Sequence, residues 1–138
     1  MKHVVAALII DKGGGNGGDD LRILACQRTR HQPMPLKWEF PGGKIEEGEQ
    51  PRDALRRELE EELGIEATIG NEVARLTHHY PGGGAVELRF FEVHEYKGEI
   101  ENRIFREIRW VKREELLGLD FLEADHSLVK DLAAGKLI

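Results

Sequence analysis

One cysteine, Cys26, is all that the 138-residue chain contains. No internal disulfide can form, a zinc site built on cysteines lacks ligands, and the usage agrees with a reducing, cytoplasmic location. Long apolar runs are missing as well, so no membrane span is expected. The run Val4 to Ile10, behind Met1 and Lys2, has the outline of a leader segment. Asp11 cuts it short and no small-residue cleavage site follows, so a buried strand is the better reading. The chain also lacks a basic excess: 20 lysines and arginines face 26 aspartates and glutamates, for a net charge of -6. That balance excludes non-specific binding to a nucleic acid polymer, which needs a basic face to displace counterions. A small anion can still bind if a metal ion, or arginines and lysines held locally, offset the repulsion.

What is present fits one folded unit. A chain of this length closes one hydrophobic core and is too short for two ordinary domains, so residues 1–138 are assigned to a single domain. Val4 to Ile10 and Leu21 to Arg28 are rich in branched apolar residues and flank the run Gly13 to Gly18, which predicts a hairpin with a mobile tip. That tip contains G-x-G-x-x-G, but a strand follows it rather than a helix, so the dinucleotide reading is discarded. Gln50 to Leu63 is expected to be a helix: Pro51 suits its first turn, Leu55, Leu59 and Leu63 recur at helical spacing, and Gly64 can cap its end. Strand-like stretches follow at Ile65 to His79, Val86 to Tyr96 and Ile104 to Val111, then short helices near Arg113 to Leu117 and Ala124 to Ala134. The order suits an α+β protein, a mixed sheet with helices packed on it.

The informative segment runs from Gly43 to Ile65. Glu58, Glu61 and Glu62 stand at i, i+3 and i+4, so their carboxylates project from one helical face within reach of a common ion. The adjoining leucine stripe can be buried while they remain at a cleft. Like charges at this spacing destabilise a helix by roughly 0.2–0.5 kcal/mol per pair, so compensation is needed. A hard divalent cation such as magnesium supplies it, while keeping room in its shell for phosphate oxygens. A solvated acidic face with pairs such as Arg57 to Glu61 is the plainer alternative.

Gly43, then Glu49, then Arg57 to Ile65 match G-x5-E-x7-R-E-U-x-E-E-x-G-U, with U aliphatic, at every defined position. The segment thereby resembles the Nudix box, and Trp38 to Gly42 before it look like the approach to that box in the MutT-type branch, which includes 8-oxo-dGTP diphosphatases and CTP pyrophosphohydrolases. The resemblance implies the Nudix fold, an α/β/α sandwich with a loop-helix-loop motif. It also implies a magnesium-dependent hydrolase, with manganese as a substitute, that cuts a nucleoside triphosphate into monophosphate and pyrophosphate. Sanitation of oxidised nucleotides such as 8-oxo-dGTP comes first; pyrimidine triphosphates, ADP-ribose or dinucleoside polyphosphates are alternatives, as is a non-catalytic nucleotide sensor. No partner beyond the nucleotide is implied, and the chain is read as a monomer or homodimer.

By the same resemblance, Glu58, Glu61, Glu62 and the carbonyl of Gly42 would hold the metal. Arg57 would orient a neighbouring glutamate, and Glu49 would support the network. Lys44 would contact phosphate, or be an ordinary exposed lysine. Arg28, Glu39, Phe40 and Asp125 fall where MutT-type enzymes contact the base, or are side chains at element ends. Asp125 replaces an asparagine of the enzymes devoted to 8-oxoguanine; a carboxyl accepts when ionised and donates when protonated. A further departure falls in a later loop. Ile104 stands where the branch commonly has a glutamate, which leaves Glu101, Glu107 or a box glutamate as base. The adjacent His78 and His79 point to opposite faces of a strand and make a poor chelate.

Overall fold

A computed structural model of the chain describes residues 1–13 and 20–138. The tip of the expected hairpin lies outside the described residues. The framework is one mixed sheet built around β1 (Lys2–Asp11). Alternation along this strand serves two cores at once: Val5, Ala7 and Ile9 face one, Ala6 and Leu8 the other. β1 pairs in parallel with β7 (Ala85–Val93), which in turn pairs antiparallel with β6 (Glu72–His79). On its other edge the chain is shared. Val4 to Ala6 pair with β4 (Gly42–Lys44), while Ile10 and Asp11 pair with β2 (Arg22–Gln27). β2 carries β3 (Trp38–Glu39) and β9 (Glu107–Lys112). A second sheet of two strands joins β5 (Glu66–Thr68) to β8 (Glu95–Lys97).

The two faces of the sheet are covered by different helices. α1 (Pro51–Leu63) has Pro51 in its first turn and ends where Gly64, at φ 70°, donates its N–H to the Glu60 carbonyl. Its Ala54, Leu55, Leu59 and Leu63 are fully buried against Val5, Ala7 and Ile9. α2 (His126–Ala133) buries Leu128, Val129 and Leu132 on the opposite face, against Leu8, Ile23 and Phe90. The result is the expected sandwich of helix, mixed sheet and helix. No helix among the described residues is long and apolar enough to cross a membrane.

Several boundaries differ from the sequence reading. The stretch Ile65 to His79 is two strands, because Gly70 turns the chain and brings its backbone against the Glu92 carbonyl (N–H to O 2.8 Å). Val86 to Tyr96 likewise divides at His94, where the chain leaves the large sheet for the small one. The last strand starts at Glu107, since Ile104 and Phe105 belong to the loop before it. Arg113–Gly118 is a 3-10 turn, and Glu123–Asp125 is another one leading into α2.

The leucine stripe is what attaches α1 to the sheet, and Leu59 lies at its middle. Leu59→Ala should lower the unfolding free energy by about 2–5 kcal/mol in urea titrations, as large-to-small changes in a closed core do. A change below about 1 kcal/mol, typical of surface positions, would show that the stripe does not anchor the helix.

Candidate active site

Two glycines place the loop-helix-loop segment. A Cβ on Gly42 would stand 2.0 Å from the Val5 carbonyl oxygen, so only glycine lets β4 run this close to β1. A Cβ on Gly43 would stand 2.5 Å from the carboxyl carbon of Glu58. The missing side chain at 43 is therefore the space that the Glu58 carboxylate fills.

Arg57 organises the carboxylates around it. Its Nε and Nη2 donate to the two oxygens of Glu49 at 2.9 and 3.0 Å, and Nη1 donates to Glu58 at 2.9 Å. Nη2 also reaches the Lys44 carbonyl at 3.1 Å, which ties the loop to the helix. Hydrogen bonds from Arg57 and from the Glu46 backbone hold the Glu49 carboxyl down to about 2. Glu61 is 59% exposed, and its carboxylate lies 3.5 Å from the same Nη1.

Glu62 points the other way, into the protein, and accepts the Gly42 N–H at 3.3 Å. Burial first, and then its hydrogen bond with Glu58, raise its pKa far above the carboxylate range. Glu58 and Glu62 thus form a hydrogen-bonded pair. Among the described residues no three acidic, histidine or cysteine side chains already converge as a metal cage. The structure brings Glu58 and Glu62 together and leaves Glu61 on the outer side of Arg57.

The Glu62 carboxyl opens into a cleft of about 420 Å³ on the α2 face of the sheet. Its floor follows from strand register. Lys2, Val86 and His78 stand in one row across β1, β7 and β6, and Val4, Leu88 and Leu76 in the next. Every residue expected to contact the base or phosphates lines this cleft: Arg28, Glu39, Phe40, Lys44 and Asp125, together with Gly42. Arg28 is committed to its neighbours, donating Nε to the Pro33 carbonyl at 2.8 Å and Nη1 to both oxygens of Glu39 at 3.1 and 3.2 Å. Burial raises Glu39, and Arg28 opposes that shift. Asp125 is 5% exposed; burial, aided by the charge of Glu39, moves its pKa from 3.8 to about 7. Phe40 is as much a core residue as a cleft residue, its ring 5.1 Å from Phe121 and 6.3 Å, edge-on, from Phe90.

Three features of the cleft were not read from the sequence. His78 and Tyr80 line it with their rings 5.1 Å apart at 85°, although period-two alternation places His78 on the same strand face as Leu76. Met34 stands at the rim with φ 51°. Ile104 and Phe105 form a wall, whereas Glu101 and Glu107 do not line the cleft and pair with Arg103 and Arg109 instead. A second, more open hollow of about 660 Å³ lies elsewhere, between Ile10, Lys12, Tyr96 and Trp110, and contains none of the expected residues. His126 donates Nε2 to the Phe121 carbonyl at 2.9 Å, a bond that ties the start of α2 to the preceding turn.

A helix that presents glutamates around an arginine, at the edge of a cleft with buried acids, has the chemistry to take up a divalent cation and a phosphorylated ligand. The NUDIX domain family model matches residues 1–132, and the chain belongs to that family. It is 37% identical over 134 residues to the CTP pyrophosphohydrolase of Escherichia coli (strain K12), which covers 97% of this chain and 93% of that protein. It is 33% identical over 132 residues to the 8-oxo-dGTP diphosphatase of the same strain, covering 96% and 98%. The solution structure of the E. coli ORF135 protein superimposes with a TM-score of 0.80 at 35% identity, covering 96% of this chain and 89% of that one.

Two predictions follow from this geometry. Gly43→Ala adds a methyl group against the flexible end of Glu58, so the fold should survive while the carboxylate is displaced. Turnover should fall by at least about tenfold with thermal stability little changed, as expected when a charged group is moved off its mark. Unaltered turnover would mean that the position of Glu58 is unimportant. Asp125 predicts a pH effect. At low pH it is protonated in both states; as pH rises from about 4 to about 7 only the unfolded chain gives up the proton, so stability is lost across that window. Asp125→Asn should remove this slope, and its stability relative to the parent chain should be greater at pH 8 than at pH 5, by up to a few kcal/mol. A difference between the two proteins that is independent of pH would contradict a buried, proton-retaining Asp125.

Proposed function

We propose that this chain is a magnesium-dependent nucleoside triphosphate pyrophosphohydrolase that releases a nucleoside monophosphate and pyrophosphate, with 8-oxo-dGTP as its leading substrate. The observation that carries the reading is the Glu58–Glu62 pair, held by Arg57 at the mouth of a cleft able to take a nucleoside. A buried carboxyl in hydrogen-bonding contact with a half-buried one is a poor place for two negative charges and a good place for a divalent cation. The donor set is therefore chemically suited to the ion. Glu58, Glu62, Glu61 and the Gly42 carbonyl would hold magnesium, or manganese in its place. When bound, the ion supplies a Lewis acid for phosphoryl oxygens and stabilises the leaving pyrophosphate.

The remaining roles fall to this chain's own groups. Arg57 orients Glu58 through a charge-assisted hydrogen bond. A box glutamate takes the proton of the attacking water, since Glu101 and Glu107 lie away from the cleft. Lys44 faces the phosphates as a mobile point charge. Glu39, steadied by Arg28, and Asp125 address the edge of the base, while Phe40 and the His78–Tyr80 pair supply planar surface. With a pKa near neutrality, Asp125 donates when protonated and accepts when ionised, which suits an oxidised purine. The same carboxyls can accept from the amino group of cytosine, and the likeness to a CTP pyrophosphohydrolase supports CTP as the second substrate to test. A full set of box glutamates favours an enzyme over a nucleotide-sensing module.

Incubation with magnesium and a panel of nucleotides, resolved by product chromatography, should yield pyrophosphate and the monophosphate, fastest with 8-oxo-dGTP. Turnover that releases orthophosphate instead, or no turnover on any nucleotide, would remove the reading. Glu58→Gln and Glu61→Gln should each lower turnover by at least about a hundredfold, as losing a catalytic charge commonly does.

A further inference from the structure

The C-terminal turn of α1 has an electrostatic difficulty that its own residues do not relieve. Glu60 and Glu61 stand at the end of the helix where the backbone dipole is already negative, and the turn contains no basic residue. Its last carbonyls also lack partners within the helix. The loop before β9 answers both needs. The Glu101 N–H donates to the Leu63 carbonyl at 2.8 Å and the Arg103 N–H to the Glu62 carbonyl at 3.1 Å. The Arg103 guanidinium donates Nη1 to the Glu60 carbonyl at 3.0 Å and Nε to Glu101 at 3.2 Å. It lies so close over Gly64 that a Cβ there would stand 2.7 Å from Nη2.

The same loop continues into the cleft. Asn102 closes it with reciprocal bonds to Phe105, accepting its N–H at 2.8 Å and donating to its carbonyl at 2.9 Å. Arg106 fastens the far end to Gln27 through its backbone N–H at 2.9 Å and its Nη1 at 2.8 Å. Between these anchors Ile104, 46% exposed, and the buried Phe105 face the cleft beside Glu62. We propose that Arg103 is a positioning residue for nucleotide binding, which clasps the Ile104–Phe105 wall to the end of α1 so that wall and glutamates keep one spacing. Arg103 acts through Ile104 and touches no substrate. The ligand named here rests on the proposed function; the clasp itself does not.

Arg103→Ala tests it on two independent readouts. Amide hydrogen exchange at residues 101–105 should quicken by about tenfold or more, as for a segment released from its anchor. With magnesium and the better of 8-oxo-dGTP and CTP, KM should rise about tenfold while kcat stays within about twofold, the signature of lost binding rather than lost chemistry. Arg103→Lys, which keeps a cation and a donor for the Glu60 carbonyl, should recover most of the KM. Ile104→Ala, at an exposed position that leaves the clasp intact, should raise KM similarly without quickening exchange. Unchanged exchange in Arg103→Ala overturns the clasp. A lowered melting temperature with KM unchanged, in either Arg103→Ala or Ile104→Ala, overturns its role in binding. If the parent chain hydrolyses neither nucleotide, the proposed function fails, and exchange alone still decides whether Arg103 holds the loop.

Discussion

A helix that presents Glu58 and Glu61 beside Glu49 of the preceding loop gathers repulsion that has to be met by a fixed positive charge. In this protein the fixed charge is the guanidinium of Arg57, which grips Glu49 with two donors and spends a third on Glu58, with Glu61 at 3.5 Å from the same nitrogen. A planar fork of donors is needed for that geometry, and a lysine could not reproduce it. The consequence reaches beyond charge balance. By also holding the Lys44 carbonyl, Arg57 sets the loop after β4 against α1, and that fixes where Gly43 stands relative to Glu58. Loop, helix and carboxylates become one rigid piece, seated on the sheet by the leucine stripe.

The cleft inherits its character from this piece and from β1. Because β1 exposes a different set of residues on each face, the helix with the glutamates and the cleft can lie on opposite sides of the sheet and still meet at Gly42 and Gly43. In the cleft, burial raises Asp125 to about 7, so that protonated and ionised forms coexist near neutral pH, while Arg28 opposes the upward pressure of burial on Glu39. Two acids in one pocket thus stand in different electrostatic surroundings, a division set by environment rather than residue type. The loop from residue 98 to 106 ties the outer wall to the helix end, so both parts of the site refer to the same backbone.

Much of this was legible in the sequence because it is local. Pro51, the leucines at helical spacing and Gly64 define α1 to within one residue, and the spacing from Gly43 to Ile65 names the carboxylates and their arginine. Recognition also located Arg28, Glu39, Phe40 and Asp125, and all four line the cleft. What escaped depends on pairing between distant strands. β3 and β4 are too short to show periodicity, yet β4 brings the glycines to β1. His78 belongs to the cleft because it stands in register with Val86 and Lys2, a relation no alternation pattern contains. Arg103 is 43 residues from the carbonyl it caps, and a helix that ends on glutamates signals the need for a cation without saying which one answers it.

The proposed hydrolysis requires a divalent ion held by Glu58 and Glu62 while Arg57 keeps its hold on Glu49. Crystals grown with manganese, with the ion located by its anomalous scattering, test this most directly. The expected result is a peak in contact with carboxylate oxygens of both Glu58 and Glu62, with the Arg57–Glu49 pair intact. A peak away from both carboxylates, or Arg57 displaced from Glu49 when the ion binds, would contradict it.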